Sequence, residues 1–302
     1  MNKSGDILLD SGTNELEVIL FYLGNETYGI NVLKVREIIV PMPITKLPQS
    51  HDHVEGVIRL REEVLPVINL EKVLNIPREK IESEDKFIVC ELNQTKIAFR
   101  VHGVKKIHRI SWEQIEKPDD LSTGRQPFAS GIIKMADEMA ILLDFEKVVI
   151  DISPKVGINV EAVKALGPRE RNTKKIIVAE DSAVLRELIK DTLYEAGYQD
   201  VQFYQNGKEA WDYLESIGDD KGKNPLDTVQ LLITDIEMPQ MDGHHLTKRV
   251  KSHPRLKDIP VLIFSSLITE DLQHKGEQVG ASGQISKPDI VRLIQEIDKL
   301  VL

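Results

Sequence analysis

Four short apolar runs in the second half of this chain limit what that half can fold into, because each ends on a residue suited to phosphate or metal chemistry. Ile176-Ile177-Val178-Ala179 runs into Glu180-Asp181, Leu231-Leu232-Ile233-Thr234 into Asp235, and Val261-Leu262-Ile263-Phe264 into Ser265-Ser266. Gly283-Gln284-Ile285-Ser286 runs into Lys287-Pro288. Runs of this length, spaced by helical patterns, read as parallel strands covered on both faces. Leu185, Leu188, Ile189 and Leu193 share one helical face, as do Ile290, Leu293, Ile294, Ile297 and Val301. Strand and helix alternate from Lys174 onward, which predicts an α/β doubly wound five-stranded parallel sheet. Ligands of such sheets gather at the carboxyl ends of the strands. Three carboxylates, a hydroxyl and an ammonium are therefore expected to converge. Carboxylates suit a hard cation such as Mg²⁺, an ammonium suits a phosphate, and a spare carboxylate can accept a phosphoryl group.

The first half reads differently. Residues 18–22, 28–32, 54–60, 64–68, 87–91, 96–101, 131–135 and 139–143 are short β-rich runs. Turn signals stand between them at Gly24-Asn25, Asn93-Gln94 and Asp137-Glu138, with Arg61-Glu62-Glu63 as a tight connection. Many short strands at close spacing predict an all-β barrel or sandwich. Residues 71–74 and 145–149 read as short helical turns. Ser153-Pro154, Gly157, Gly167-Pro168 and Arg169-Glu170-Arg171 mark a linker, with room for a short helix over 160–166. The expected domains are 15–152 and 174–302, joined by a linker over 153–173. Residues 216–228 read as a mobile polar surface loop.

The 302 residues suffice for two domains of ordinary size. The balance of 39 basic against 49 acidic residues, a net −10, leaves no basic stripe for nucleic acid. No run of 18 apolar residues predicts a membrane span, and the first six residues lack a signal-peptide core; a cytoplasmic protein is expected. The single cysteine, Cys90, sits in an apolar run and reads as a buried inert thiol. His51 and His53 would share a strand face, but two ligands do not make a metal site, so a solvated loop is expected there. His244-His245 reads as a surface or edge pair at a helix start.

From Lys174 onward the chain resembles a response-regulator receiver. The residues that carry this are Glu180-Asp181, Asp235-Ile236-Glu237-Met238-Pro239 with Met241-Asp242-Gly243, Ser265-Ser266, and Lys287-Pro288. The resemblance implies that Asp235 accepts a phosphoryl group from a histidine kinase. It implies that Asp181, Asp235 and the backbone carbonyl of Glu237 ligate Mg²⁺, with Glu180 helping through a water. Lys287 would hold the phosphoryl oxygens, and the Ser265 hydroxyl would move toward them. With no metal, the clustered carboxylates should raise at least one pKa. Receivers usually carry Tyr or Phe three residues before the lysine; here that position is Gln284.

Residues 15–152 resemble a CheW coupling domain. The residues that carry this are 29–38 (Gly29-Ile30-Asn31-Val32 through Ile38), Val57-Ile58-Arg59-Leu60-Arg61 with Val64-Leu65-Pro66-Val67-Ile68-Asn69-Leu70, and Ile141-Leu142-Leu143-Asp144-Phe145-Glu146. The implied fold is two small five-stranded β-barrels. The implied role is scaffolding between chemoreceptor (methyl-accepting chemotaxis protein) tips and the CheA kinase. Arg61 stands either in a partner contact or in a buried structural pair, and Glu37 either in a contact or on a solvated face. Glu62 occupies a turn position where the family usually has Gly; a positive φ there would cost about 1 kcal/mol.

The two resemblances in this order resemble CheV-type chemotaxis proteins. They imply a phosphorylatable chemotaxis adaptor, not an enzyme, which couples receptors to CheA, is modulated at Asp235 as in adaptation, and is recruited to membrane receptor arrays. The alternatives are a phosphate sink for the kinase and an aspartyl-phosphate phosphohydrolase. A DNA-binding domain is not expected, because the sequence ends just after the last receiver helix.

Overall fold

The structure, a computed structural model, describes residues 15–76, 85–116, 128–136, 138–154, 157–164, 166–167, 169–268 and 270–301. Asp137 of the last expected hairpin turn and Pro168 of the linker lie outside the described residues. The chain divides into two compact units between residues 156 and 157.

The first unit is built on β1 (Glu15–Leu23), β2 (Glu26–Asn31), β3 (Val35–Ile39), β4 (Val54–Leu60), β5 (Glu63–Asn69), α1 (Leu70–Leu74), β6 (Lys86–Leu92), β7 (Thr95–Val101), β8 (Gly103–Ser111), β9 (Ile115–Glu116), β10 (Ala129–Lys134), β11 (Met139–Leu143) and α2 (Phe145–Ile152). One sheet runs β8-β1-β2-β11-β10-β9 and the other β3-β6-β7-β5-β4. The sixth strand of the first sheet, β9, is only two residues long. The turns follow from local chemistry. Asn93 and Gln94 both take positive φ, +49° and +60°, as a type I′ hairpin requires. At the β4–β5 turn the positive φ falls on Arg61, at +57°, and not on Glu62. Asn69 caps α1 and Asp144 caps α2, each side chain accepting a backbone N–H of the first turn. Aromatic side chains fill the core, with Phe21 stacked on Tyr28 at 5.9 Å and Phe99 edge-on to Phe145 at 4.7 Å. Cys90 is buried in the same core, and burial pushes its thiol well up, which keeps it inert.

The second unit comprises α3 (Glu161–Lys164), β12 (Asn172–Ala179), α4 (Ala183–Glu195), β13 (Tyr198–Tyr204), α5 (Gly207–Asp219), α6 (Pro225–Thr228), β14 (Leu231–Thr234), α7 (Gly243–Ser252), β15 (Val261–Ser265), α8 (Glu270–Gln278), β16 (Gly283–Ser286) and α9 (Ile290–Val301). Its sheet is parallel in the order β13-β12-β14-β15-β16, the doubly wound arrangement. β14 and β15 are buried throughout, as a strand covered by helices on both faces must be. The apolar stripe of α9, Ile290, Leu293, Ile294, Ile297 and Val301, is buried along its length.

Three stretches of this unit differ from what the sequence alone suggests. Residues 157–164, 166–167 and 169–171, which read as linker, belong to the second unit. Ile158 and Val163 are buried, α3 packs on α4 and α9, and Arg169 donates to the Ala196 carbonyl at 2.8 Å and pairs with Asp298. Residues 216–228 are not a free loop. α5 runs on to Asp219, α6 follows, and Arg255 donates to the carbonyls of Gly218 and Asp220 at 2.6 and 2.7 Å. His244 is not at the surface: it is buried, and burial lowers its pKa. Among the described residues, no helix is long and apolar enough to cross a membrane.

Candidate functional site

The carboxyl ends of β12, β14, β15 and β16, with the loops that leave them, carry Glu180-Asp181, Asp235, Ser265-Ser266 and Lys287. Glu180, Asp235, Ser265 and Lys287 are all buried, while Asp181 is exposed. The Lys287 ammonium lies 2.8 Å from Glu180 Oε2 and 2.8 Å from Asp235 Oδ2. Asp235 Oδ1 accepts the Ile236 N–H at 2.6 Å, and Glu180 Oε1 accepts the Ser182 N–H at 3.2 Å. Burying a charge is costly unless it is paired and hydrogen-bonded, and here one ammonium answers two carboxylates. The remaining imbalance falls on Glu180. Its carboxyl is held well above the usual range, first by burial and then by repulsion from Asp235 and Asp181, against the pull of Lys287.

Local sequence builds this geometry. Ser182 caps α4, so the acidic pair sits at the entry to a helix. Gly243 is required: a Cβ there would collide with the Asp235 carbonyl, so only glycine lets α7 start so close behind the acceptor strand. Asp242 caps α7 by accepting the His245 N–H at 2.8 Å. The Ser265 Oγ accepts the Leu267 N–H at 3.3 Å, within its own strand-to-helix loop. Sequence reasoning missed one residue. Arg186, on α4, donates to the backbone carbonyls of both Glu180 and Asp181, at 2.8 and 2.7 Å, with a single nitrogen. Its spacing from the acidic pair, one turn into the helix, is the only hint that the sequence offers.

Carboxylate oxygens of Glu180, Asp181 and Asp235 lie within 4.8 Å of one another. A set of hard oxygen donors, one of them open to water, fits Mg²⁺ or a similar cation. Glu237 is half-buried. In the first unit, Arg61 and Glu37 meet in a 3.2 Å ion pair on the surface, with side chains 78% and 31% exposed. His51 and His53 meet edge to face with ring centroids 4.7 Å apart, and neither belongs to a metal-sized cluster among the described residues.

A CheW-like domain model matches residues 17–153, and a response regulator receiver domain model matches residues 176–298. The chain is 31% identical over 285 residues to chemotaxis protein CheV3 of Helicobacter pylori, which covers 91% of this chain and 88% of that protein. Chemotaxis protein CheW of Treponema pallidum is 27% identical over 138 residues, 44% of this chain and 81% of that protein. Chemotaxis protein CheY1 of Helicobacter pylori is 34% identical over 128 residues, 42% of this chain and 96% of that protein.

Proposed function

The chain belongs to the CheV family of chemotaxis proteins, and on that footing we propose that it is a phosphorylatable adaptor coupling chemoreceptors to the CheA histidine kinase. The observation that carries this reading is the buried Lys287 ammonium bridging Glu180 and Asp235 beside the exposed Asp181. Asp235 is the acceptor: its carboxylate forms the O–P bond while the P–N bond to the kinase histidine breaks and the imidazole leaves. Ile236 N–H and Lys287 hold the two carboxylate oxygens in place. Mg²⁺ would be held by Asp181, Asp235 and the Glu237 carbonyl, with Glu180 behind a water, and when bound it offsets the roughly −2 charge of the phosphoryl group. Lys287 then turns from Glu180 and Asp235 toward phosphoryl oxygens, and Ser265 donates its hydroxyl to another. We take residues 15–152 as the coupling domain and 174–302 as the receiver, with the stretch around α3 and Arg169 serving as an extension packed on the receiver and not as a free linker, and we place the coupling surface on the first.

The CheW-like unit holds receptor and kinase together at membrane receptor arrays. Phosphorylation changes that coupling, as adaptation requires. A tenfold change needs about 1.4 kcal/mol of differential interaction between the two states. The test is transfer of labelled phosphate from autophosphorylated CheA to the wild type and to Asp235→Ala, with and without Mg²⁺. Mg²⁺-dependent label in the wild type alone is the expected result, with receptor binding intact in the variant. Label that persists in Asp235→Ala would mean another acceptor. Label that decays fast with no change in kinase–receptor coupling would make the protein a phosphate sink.

A further inference from the structure

α3 and Arg169, ahead of β12, lie against the receiver without filling the space between. Val163 is buried, and α3 packs on α4 and α9. Arg169 ties the chain down, donating to the Ala196 carbonyl at 2.8 Å and pairing with Asp298. The Asn172 N–H donates to the Gly197 carbonyl at 2.9 Å, where β12 begins to pair with β13. Gly197, at φ +93°, allows this approach, since a Cβ there would collide with the Glu170 carbonyl. Between this stretch and the last turn of α4 lies a cavity of about 550 Å³, within the roughly 300–1,000 Å³ of small-molecule sites. It stands at the amino ends of β12 and β13, whereas Asp235 and its partners stand at the carboxyl ends of the sheet.

Lys164, Arg169 and Arg171 line the cavity together with Tyr194 and Glu195. Three cations thus share one small space in a chain of net −10. Gathered cations repel one another and favour an anion among them. Arg169 is already answered by Asp298. Lys164 has a 2.8 Å pair with Glu161, but their side chains are 53% and 75% exposed, and such a pair is worth little and exchanges readily. Arg171 is exposed, and its guanidinium has no hydrogen-bond or ion-pair partner among the described residues. Tyr194 is 41% exposed.

Each of these groups has a use. A planar guanidinium grips a phosphate with two parallel donors, and an ammonium adds a point charge. A bare tyrosine ring offers a face on which a base stacks. A carboxylate beside it can accept from ribose hydroxyls. Two uncommitted cations match the roughly −2 charge of one phosphate monoester.

We propose that this cavity is a mononucleotide site: the phosphate lies on Arg171 and Lys164, the base stacks on Tyr194, and the ribose hydroxyls donate to Glu195. The site is separate from the phosphoryl chemistry of Asp235 and does not depend on it.

The test is calorimetric titration of the full chain with 5′-AMP, 5′-GMP, ribose 5-phosphate and inorganic phosphate. A chelator is present, so that no Mg²⁺ at Asp235 holds phosphate. A purine monophosphate should bind saturably, and tighter than ribose 5-phosphate by the roughly 5- to 150-fold that one stacked base contributes. Tyr194→Ala should remove that factor from the nucleotide and leave ribose 5-phosphate unchanged. Arg171→Ala should weaken both by about 10- to 150-fold, as loss of a hydrogen bond to a charged group does, and Arg171→Lys by less. Both side chains are exposed, so the melting temperature should hold in each variant; should one fail to fold, the other still decides. No saturable binding of either nucleotide overturns the proposal. Binding that survives in both alanine variants also overturns it, because the nucleotide then sits elsewhere. Inorganic phosphate that binds as tightly as the nucleotide overturns it too, leaving an anion site alone.

Discussion

Two ion-paired sites, one in each unit, differ in what they cost the protein. Lys287 with Glu180 and Asp235 is buried, with side chains at most 6% exposed. Arg61 with Glu37 stands in solvent. A buried pair cannot lose one member cheaply, because the other keeps its charge without water. An exposed pair is worth little either way. The second unit thus ties its stability to its chemistry, whereas the first can change its surface contacts and leave its fold alone. That difference can be broken or sharpened by mutation.

The largest effect is expected at Lys287. Lys287→Ala leaves two carboxylates buried against each other, and unfolding free energy should fall by about 3–5 kcal/mol. Mg²⁺ should restore part of this if Asp181 and Asp235 bind it. Urea unfolding with and without Mg²⁺ measures both. A variant as stable as the wild type would show that the ammonium does not balance the cluster.

Next comes pH. The folded-state pKa of Glu180 is raised above its ordinary 4.5, so the folded protein binds this proton more tightly than the unfolded chain. Its contribution to stability is therefore full below pH 4.5 and is lost as pH rises through the folded value. In a chelator, unfolding free energy should show that downward component above pH 4.5, and Glu180→Gln should remove it. A slope that survives in Glu180→Gln belongs to another group.

Arg186 should affect the metal more than the fold. It acts through the carbonyls of Glu180 and Asp181, and partners that orient ligand groups are typically worth 10- to 100-fold in metal affinity. Arg186→Ala should weaken Mg²⁺ binding about tenfold by calorimetric titration, with little change in melting temperature. An unchanged affinity would make the arginine merely a helix-entry brace.

What the sequence made legible follows the same division. β14 and β15 could be read because strands buried on both faces become unbroken apolar runs. The converging Glu180, Asp235 and Lys287 could be read because each ends such a run. β8 could not: Gly103–Ser111 is an edge strand with a cationic sequence whose middle residues are exposed, as edges protected from mispairing tend to be, and it imitates a loop. The stretch at 216–228 was misleading for another reason. Its order comes from Arg255, more than thirty residues away in sequence, and no local pattern announces that. Residues 157–171 have linker composition, yet Arg169 anchors them to Ala196 and Asp298. Arg186 escaped notice because its partners are backbone carbonyls, which carry no sequence signal.

The smallest effect on stability belongs to Arg61, and its sign is informative. The exposed pair with Glu37 contributes at most about 1 kcal/mol. Arg61 also sits at φ +57°, a conformation that costs a non-glycine residue about 1–2 kcal/mol. Arg61→Gly removes the pair and the strain together, so unfolding free energy should stay level or rise by about 1 kcal/mol. If the guanidinium touches CheA or a receptor tip, the same variant should bind that partner roughly tenfold more weakly, since arginines are common anchors of protein interfaces. Stability and binding would then move in opposite directions from one substitution. Arg61→Ala, which keeps the strain, should weaken binding equally with no gain in stability. Unchanged binding in both variants would leave Arg61 and Glu37 a solvated surface pair and place the coupling surface elsewhere on the first unit.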